Sequence, residues 1–291
     1  MEKMIYLLLA FLYFTLPTLQ AQDIDFPLSK SEITKYESRV RIRRLPKVRI
    51  THADAYKIKT RQSVYSPKTK EIIYDVTNVN GPTAEPEEYS MKKFQNDKWR
   101  KFPFIDNLGF AGIGYNLTKG NSLAKTIHMS CFKNPLTKGR YQVNSFVFLN
   151  IYTYCYLTKD GIVPDKGTEM DGPFVFKVLS SRNDSIRILF ENHTNLEVQP
   201  VFLPSVGMDD EYMSHPFARS GYSGEARYMR KRARLKGGEA MLFTIPVSWN
   251  VNKITDKNDK KRFAAGRLPN GNYKIGLQLE VYMNTEFEVK Q

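Results

Sequence analysis

Hydrophobic and polar side chains alternate in short runs along this chain, and the runs recur. From Glu71 to Asn78 (EIIYDVTN) the inward positions are Ile72, Tyr74 and Val76; from Ser185 to Asn192 (SIRILFEN) they are Ile186, Ile188 and Phe190. A period of two places every second side chain on one face, which predicts a half-buried strand in each run. A glycine turn and a second strand-like run follow in both places. LTKGNSLAKTIHM from Leu117 aligns with LKGGEAMLFTIPV from Leu235, with Gly120 on Gly238, Thr126 on Thr244 and Ile127 on Ile245. A third block closes each half: PLTKGRYQVNSFVFLNIYTYCYLTK, ending at Lys159, aligns with RLPNGNYKIGLQLEVYMNTEFEVK, ending at Lys290. Here Leu136 falls on Leu268, Gly139 on Gly271, Tyr141 on Tyr273 and Val143 on Ile275. Three matched blocks in one order make the chain two copies of one pattern.

The turns between these runs carry their own signals. Glycine in Lys119-Gly120 and Gly237-Gly238 permits the tight turn that launches the next strand, and Asn270-Gly271 is a strong turn dipeptide. Short strands at regular spacing predict an all-β chain, with one antiparallel sandwich per repeat. The repeats span residues 51–159 and 174–291, and Asp160–Pro173, rich in Gly, Pro and Asp, reads as a linker. Residues 22–50 precede them and hold a basic alternating run, RVRIRRLPKVRI from Arg39. That run is either an added strand on a sheet edge or a basic arm, and its alternation favours the strand.

The first 21 residues have the three parts of a secretory signal: Lys3, an apolar stretch from Met4 to Leu19, and the small Ala21. The stretch is short for a bilayer span and Pro17 interrupts it, so cleavage after Ala21 is expected, an uncleaved anchor being the other reading. Neither cysteine is near the site, which excludes an N-terminal lipid on Cys. The remaining chain has no second apolar span, so an exported, periplasmic or surface location in a bacterium is expected, with no transmembrane segment after signal removal. Hydrophobic content of 41% with 13% aromatics is enough to build cores and argues against disorder. The formal net charge is +14, to which Glu2 and Lys3 contribute nothing together. A surface this basic either attracts polyanions or is simply well solvated.

The segments EEYSMKKFQNDKWRKFPF (Glu87–Phe104), LTKGNS and LTKGRYQV resemble a bacterial immunoglobulin-like domain family found in secreted and cell-surface proteins. Tyr89, Met91 and Trp99 fill its middle portion, and Gly139-Arg140-Tyr141 its closing strand. The second repeat departs from the pattern: after Tyr212 it has GYSGEARYMRKRAR in place of the Trp segment, and it carries an insertion near Asn252–Gly266. The resemblance implies two antiparallel immunoglobulin-like β-sandwich domains in tandem, of a kind known chiefly as spacers and binding modules. Fold alone does not set function.

Catalytic chemistry finds no foothold. His52, His128, His193 and His215 show no metal-ligand spacing, and no nucleophile elbow, phosphate loop or zinc-protease helix occurs. Asp209-Asp210-Glu211 does not easily converge on one cation from a strand and reads as a solvated loop; Asp165, Glu169 and Asp171 in the linker offer a calcium site in principle, but hard cations need six or more oxygens, and no metal is expected. In separate sheets of one sandwich, Cys131 and Cys155 would fall near one end, so they form either a cross-sheet disulfide or two separate thiols. Arg227, Arg230, Lys231, Arg232, Arg234 and Lys236, beside Tyr222 and Tyr228, form the densest basic run, a polyanion grip or a solvated loop. Trp99 is a further aromatic contact candidate, with core or edge packing as its plainer role.

The expected function is a non-catalytic exported interaction module, binding an envelope protein or an anionic glycan through sandwich loops or edges. A carbohydrate-binding accessory protein or a pilus-like surface subunit is the alternative. No cofactor and no specific nucleic-acid partner are expected.

Overall fold

Gly139–Leu157 and Gly271–Val289 are strands of 19 residues each, against the usual length of about five or six, and they run antiparallel side by side from end to end. Each closes one repeat, so the two repeats meet along a single ladder. The computed structural model describes residues 41–45, 47–106, 115–165, 172–179, 185–201, 205–208, 234–248, 251–253, 257, 261 and 264–291. In chain order the strands are β1 (Arg41–Leu45), then in the first repeat β2 (Tyr56–Thr60), β3 (Val64–Tyr65), β4 (Glu71–Asn78), β5 (Glu85–Gln95), β6 (Lys98–Phe102), β7 (Ser122–His128) and β8 (Gly139–Leu157). There follow β9 (Ile162–Pro164), β10 (Phe174–Leu179), β11 (Ser185–Asn192), β12 (Glu197–Pro200), β13 (Ser205–Met208), β14 (Ala240–Pro246) and β15 (Gly271–Val289).

Three sheets result. The order β2-β4-β7 makes a small sheet in the first repeat, and β1-β14-β11-β10 makes its counterpart in the second. The third sheet, β12-β15-β8-β5-β6, serves both, with β3 and β13 added on β15 and β9 on β8. Every odd-numbered side chain from Tyr141 to Leu157 on β8 is buried, as is every one from Tyr273 to Met283 on β15. One inner face therefore lies over one continuous core that runs beneath both smaller sheets, and the fold is an all-β, sandwich-like arrangement.

The pairing of the long strands is symmetric. Phe148 and Glu280 stand equally far beyond Tyr141 and Tyr273, and they face each other at the middle of the ladder. Tyr141 lies opposite Phe287, and its equivalent Tyr273 lies opposite Cys155. Each long strand belongs to its own repeat over its first half and completes the sheet of the other repeat over its second.

Local chemistry repeats as faithfully as the pattern. Asn78 and Asn192 are fully buried at the ends of β4 and β11. Asn78 donates to the carbonyls of Pro82 and Leu117 at 2.9 and 3.0 Å; Asn192 donates to those of Leu196 and Lys236 at 2.8 and 3.2 Å. Gly120 and Gly238 take φ values of 83° and 75°, a region that costs other residues about 1 kcal/mol or more, and each donates its N–H to the preceding asparagine carbonyl. The hydroxyls of Tyr141 and Tyr273 reach back to the carbonyls of Thr137 and Pro269 at 2.9 and 2.6 Å, pinning the entry to each long strand.

The repeats differ at one edge. The basic run before the first repeat supplies β1, which pairs with β14 from Arg41 opposite Thr244 to Leu45 opposite Ala240. Ile42 packs against the core opposite Phe243. Among the described residues no strand pairs with the matching edge of β7. There Lys125 takes the place of Phe243 and reaches the Pro86 carbonyl at 3.1 Å. A charged side chain on the inward side of an edge strand discourages further pairing, so one edge is covered and the other is guarded.

The cross-sheet disulfide is not formed: Cys131 and Cys155 are separate thiols. Placing them at one end of a single sandwich assumed that β8 stops with its own repeat. Instead Cys131 lies against Tyr89, which is opposite Ser145, while β8 carries Cys155 ten residues further, roughly 33 Å at about 3.3 Å per residue. A bond needs Cα atoms within about 7 Å. Burial pushes the Cys155 thiol up to about 12, which keeps it protonated and inert.

Candidate binding face

The outer face of the shared sheet is where polar chemistry collects, and its first feature is the β5–β6 hairpin. Asn96 and Asp97 form the two-residue turn with φ of 50° and 59°, the left-handed values a tight hairpin turn requires and that Asn and Asp tolerate best. This turn fixes the register. Met91 pairs with Phe102 and both are buried in the core, whereas Phe94 pairs with Trp99 on the opposite face. Their rings meet edge to face at 5.3 Å.

The same register sets Lys92 opposite Lys101 on the face of Phe94 and Trp99, and Lys93 opposite Arg100 on the face of Met91 and Phe102. Like charges directly opposed across a pair of strands are destabilising by up to about 1 kcal/mol each. Lys93 is partly compensated, since its ammonium donates to the Thr137 hydroxyl and lies 5.5 Å from the Tyr141 ring centre. Beside the hairpin, the Arg140 guanidinium of β8 stands 5.1 Å from the Phe94 ring centre and 5.6 Å from that of Trp99. It also pairs with Glu286 of β15 at 2.7 Å.

Two further cations are held on rings along the same face. Arg234 lies 4.7 Å from the ring centre of Tyr282, donates to Glu197 at 2.7 Å and to the Gln199 side-chain carbonyl at 3.0 Å. Tyr282 leans on Phe146 at 5.7 Å, and its hydroxyl donates to the Glu280 carboxylate. Burial, then the carboxylate, pushes the Tyr282 hydroxyl well above its ordinary value. Towards the far end, the Lys274 ammonium sits 4.5 Å from the ring centre of Tyr152. Tyr152, Tyr156 and Val163 remain 43%, 52% and 54% exposed, with Tyr156 opposite Val163 across β8 and β9.

Of the residues singled out from sequence, Trp99 and Arg234 come to this face, though to different stations of it. Trp99 is an edge-strand residue packed on Phe94 and is no part of the core. Lys236 does not join them; it lies in the turn before β14, its N–H bonded to the Glu239 carboxylate at 2.8 Å. Tyr222, Arg227, Tyr228, Arg230, Lys231 and Arg232 lie outside the described residues. Lys92, Lys101, Phe94, Arg140, Tyr152 and Lys274 escaped the sequence reading. The first three were legible, because Asn96-Asp97 between two alternating runs fixes which residues oppose one another.

His215 lies outside the described residues. His128 pairs with Glu71 at 3.1 Å, and the ring of His193 bridges the Arg49 carbonyl and the Glu191 carboxylate, each at 2.9 Å. Among the described residues no three metal-ligating side chains converge. No helix among them is long and apolar enough to cross a membrane.

Residues 52–157 match the family described as bacterial Ig-like domain, and this segment belongs to it. A comparison with curated proteins finds no match. Domains of this family are typically non-catalytic interaction modules and are frequent in exported and surface proteins.

Proposed function

Taking residues 52–157 as a bacterial Ig-like domain, we propose that the protein is an exported, non-catalytic binding module that grips an acidic glycan of the cell envelope on the outer face of its shared sheet. The observation that carries this reading is the β5–β6 hairpin. It spends stability on one like-charge pair, Lys92–Lys101, on the same face as an arginine whose guanidinium lies over the touching rings of Phe94 and Trp99. An anion bound across Lys92 and Lys101 relieves their repulsion, and Tyr152 and Tyr156, exposed farther along the face, offer packing to the C–H faces of sugars. Acidic glycans supply both chemistries.

The test is retention on immobilised heparin with a salt gradient, followed by titration of the soluble glycan. Reversing Lys101 to Glu removes one contact worth about 1 kcal/mol at a solvated surface, roughly fivefold in affinity, and adds a repulsion of similar size. Trp99→Ala is expected to weaken binding by loosening Arg140. Absence of retention at low salt, or indifference to both substitutions, would remove the proposal.

A further inference from the structure

We infer that the face reads an extended acidic polymer, by presenting three ring-held cations in a line about 40 Å long, and not a single acidic sugar. This rests on the reading that the face binds acidic glycans. Along β8 the three stations fall at Arg140 itself, at Phe146, which is opposite Tyr282 and its Arg234, and at Tyr152 with its Lys274. Six residues separate each from the next, ~20 Å at a rise of about 3.3 Å per residue. No single monosaccharide spans even one of these gaps.

The stations share a construction suited to repeated capture. A ring under each cation restricts a side chain that otherwise loses rotamer freedom on binding, so part of the ordering cost is met before the ligand arrives. Arg140 and Arg234 keep about half of their side-chain surface exposed, at 51% and 52%. Their pairs with Glu286 and Glu197 are therefore solvated pairs of small individual strength, which an incoming anion can share. At the third station the residue opposite Tyr152 is Gly276, which has no side chain to cover the ring. An acidic polysaccharide meets the cations with its acid groups and the exposed Tyr152 and Tyr156 with its sugar faces. A short anion engages one station and gains nothing from the other two.

The experiment titrates the full chain with size-fractionated heparin fragments from roughly 10 to 60 Å long, together with the Lys274→Ala, Tyr152→Ala and Trp99→Ala variants. Affinity is expected to rise in steps as length passes about 20 and 40 Å, because each added station is bound intramolecularly. Lys274→Ala, Tyr152→Ala and Trp99→Ala should each lower affinity about tenfold for fragments beyond 40 Å, which engage all three stations, and by less than about twofold for the shortest, which still find the two stations left. These surface substitutions leave the core intact, and circular dichroism verifies the fold of each. Affinity independent of length, or a Lys274 variant that is neutral at all lengths, overturns the polymer inference while the acidic-glycan reading stands. Loss of all binding removes both. Duplex DNA of matched length and charge binding as tightly would overturn the assignment to glycans.

Discussion

Phe287 offers a sharp probe of the shared sheet, because it is contributed by the last strand of the second repeat but packs in the core of the first. Its ring is stacked on Tyr141 at 5.3 Å with an interplanar angle of 11°, meets Tyr65 edge-on at 5.1 Å, and is 3% exposed. Replacing a buried phenylalanine by alanine costs about 3–5 kcal/mol, from lost transfer energy and the cavity left behind. In a chain of this size about 2–4 °C of melting temperature follows each kcal/mol, so Phe287→Ala should lower it by roughly 6–20 °C. Calorimetry supplies the melting temperature, and native-state hydrogen exchange supplies the location. The amides of β4 in the first repeat and of β11 in the second should lose protection together, since both smaller sheets share one core over one ladder. Two separate melting transitions, with β4 untouched and only β11 loosened, would refute this reasoning.

Three further outcomes follow from the same contacts. Tyr273→Phe removes the hydroxyl bond to the Pro269 carbonyl, and Tyr141→Phe removes both the bond to the Thr137 carbonyl and the one accepted from the Thr137 N–H, so urea denaturation should show a loss of about 1 kcal/mol for the first and about 1–2 kcal/mol for the second. Asn78→Ala leaves the Pro82 and Leu117 carbonyls and the Gly81 N–H without their side-chain partner, and the same assay should register about 2–3 kcal/mol or more. Burial raises the Cys155 thiol from its ordinary value near 9.0 to about 12, so its stabilising contribution is complete below pH 9 and is lost as pH climbs towards 12. Cys155 should accordingly resist thiol reagents until the chain unfolds, and removing it as Cys155→Ala should flatten part of the alkaline decline in stability.

Much of the fold was readable from local pattern because the relevant physics is local. The period-two runs at Ile72–Val76 and Ile186–Phe190 do form strands of eight residues with alternating burial. The four glycines aligned between repeats all take positive φ, since a turn tolerating only glycine leaves its mark on sequence directly. What the pattern did not disclose is partnership. Nothing in the composition of β8 or β15 says that each spends half its length in the other repeat, because a strand buried on one face reads the same whichever sheet covers it. The disulfide geometry failed for that reason. Trp99 and Arg234 were visible as residue types, but the line they form with Lys274 depends on the long ladder and could not be seen without it.

The most direct measurement of the central claim is nuclear magnetic resonance mapping of a long heparin fragment on the isotopically labelled protein. Shifts concentrated on Trp99, Arg140, Tyr282 and Tyr152, along one face of β5, β6, β8 and β15, are the predicted result. Shifts confined to the solvent side of the β1-β14-β11-β10 sheet, with that line of residues silent, would contradict it.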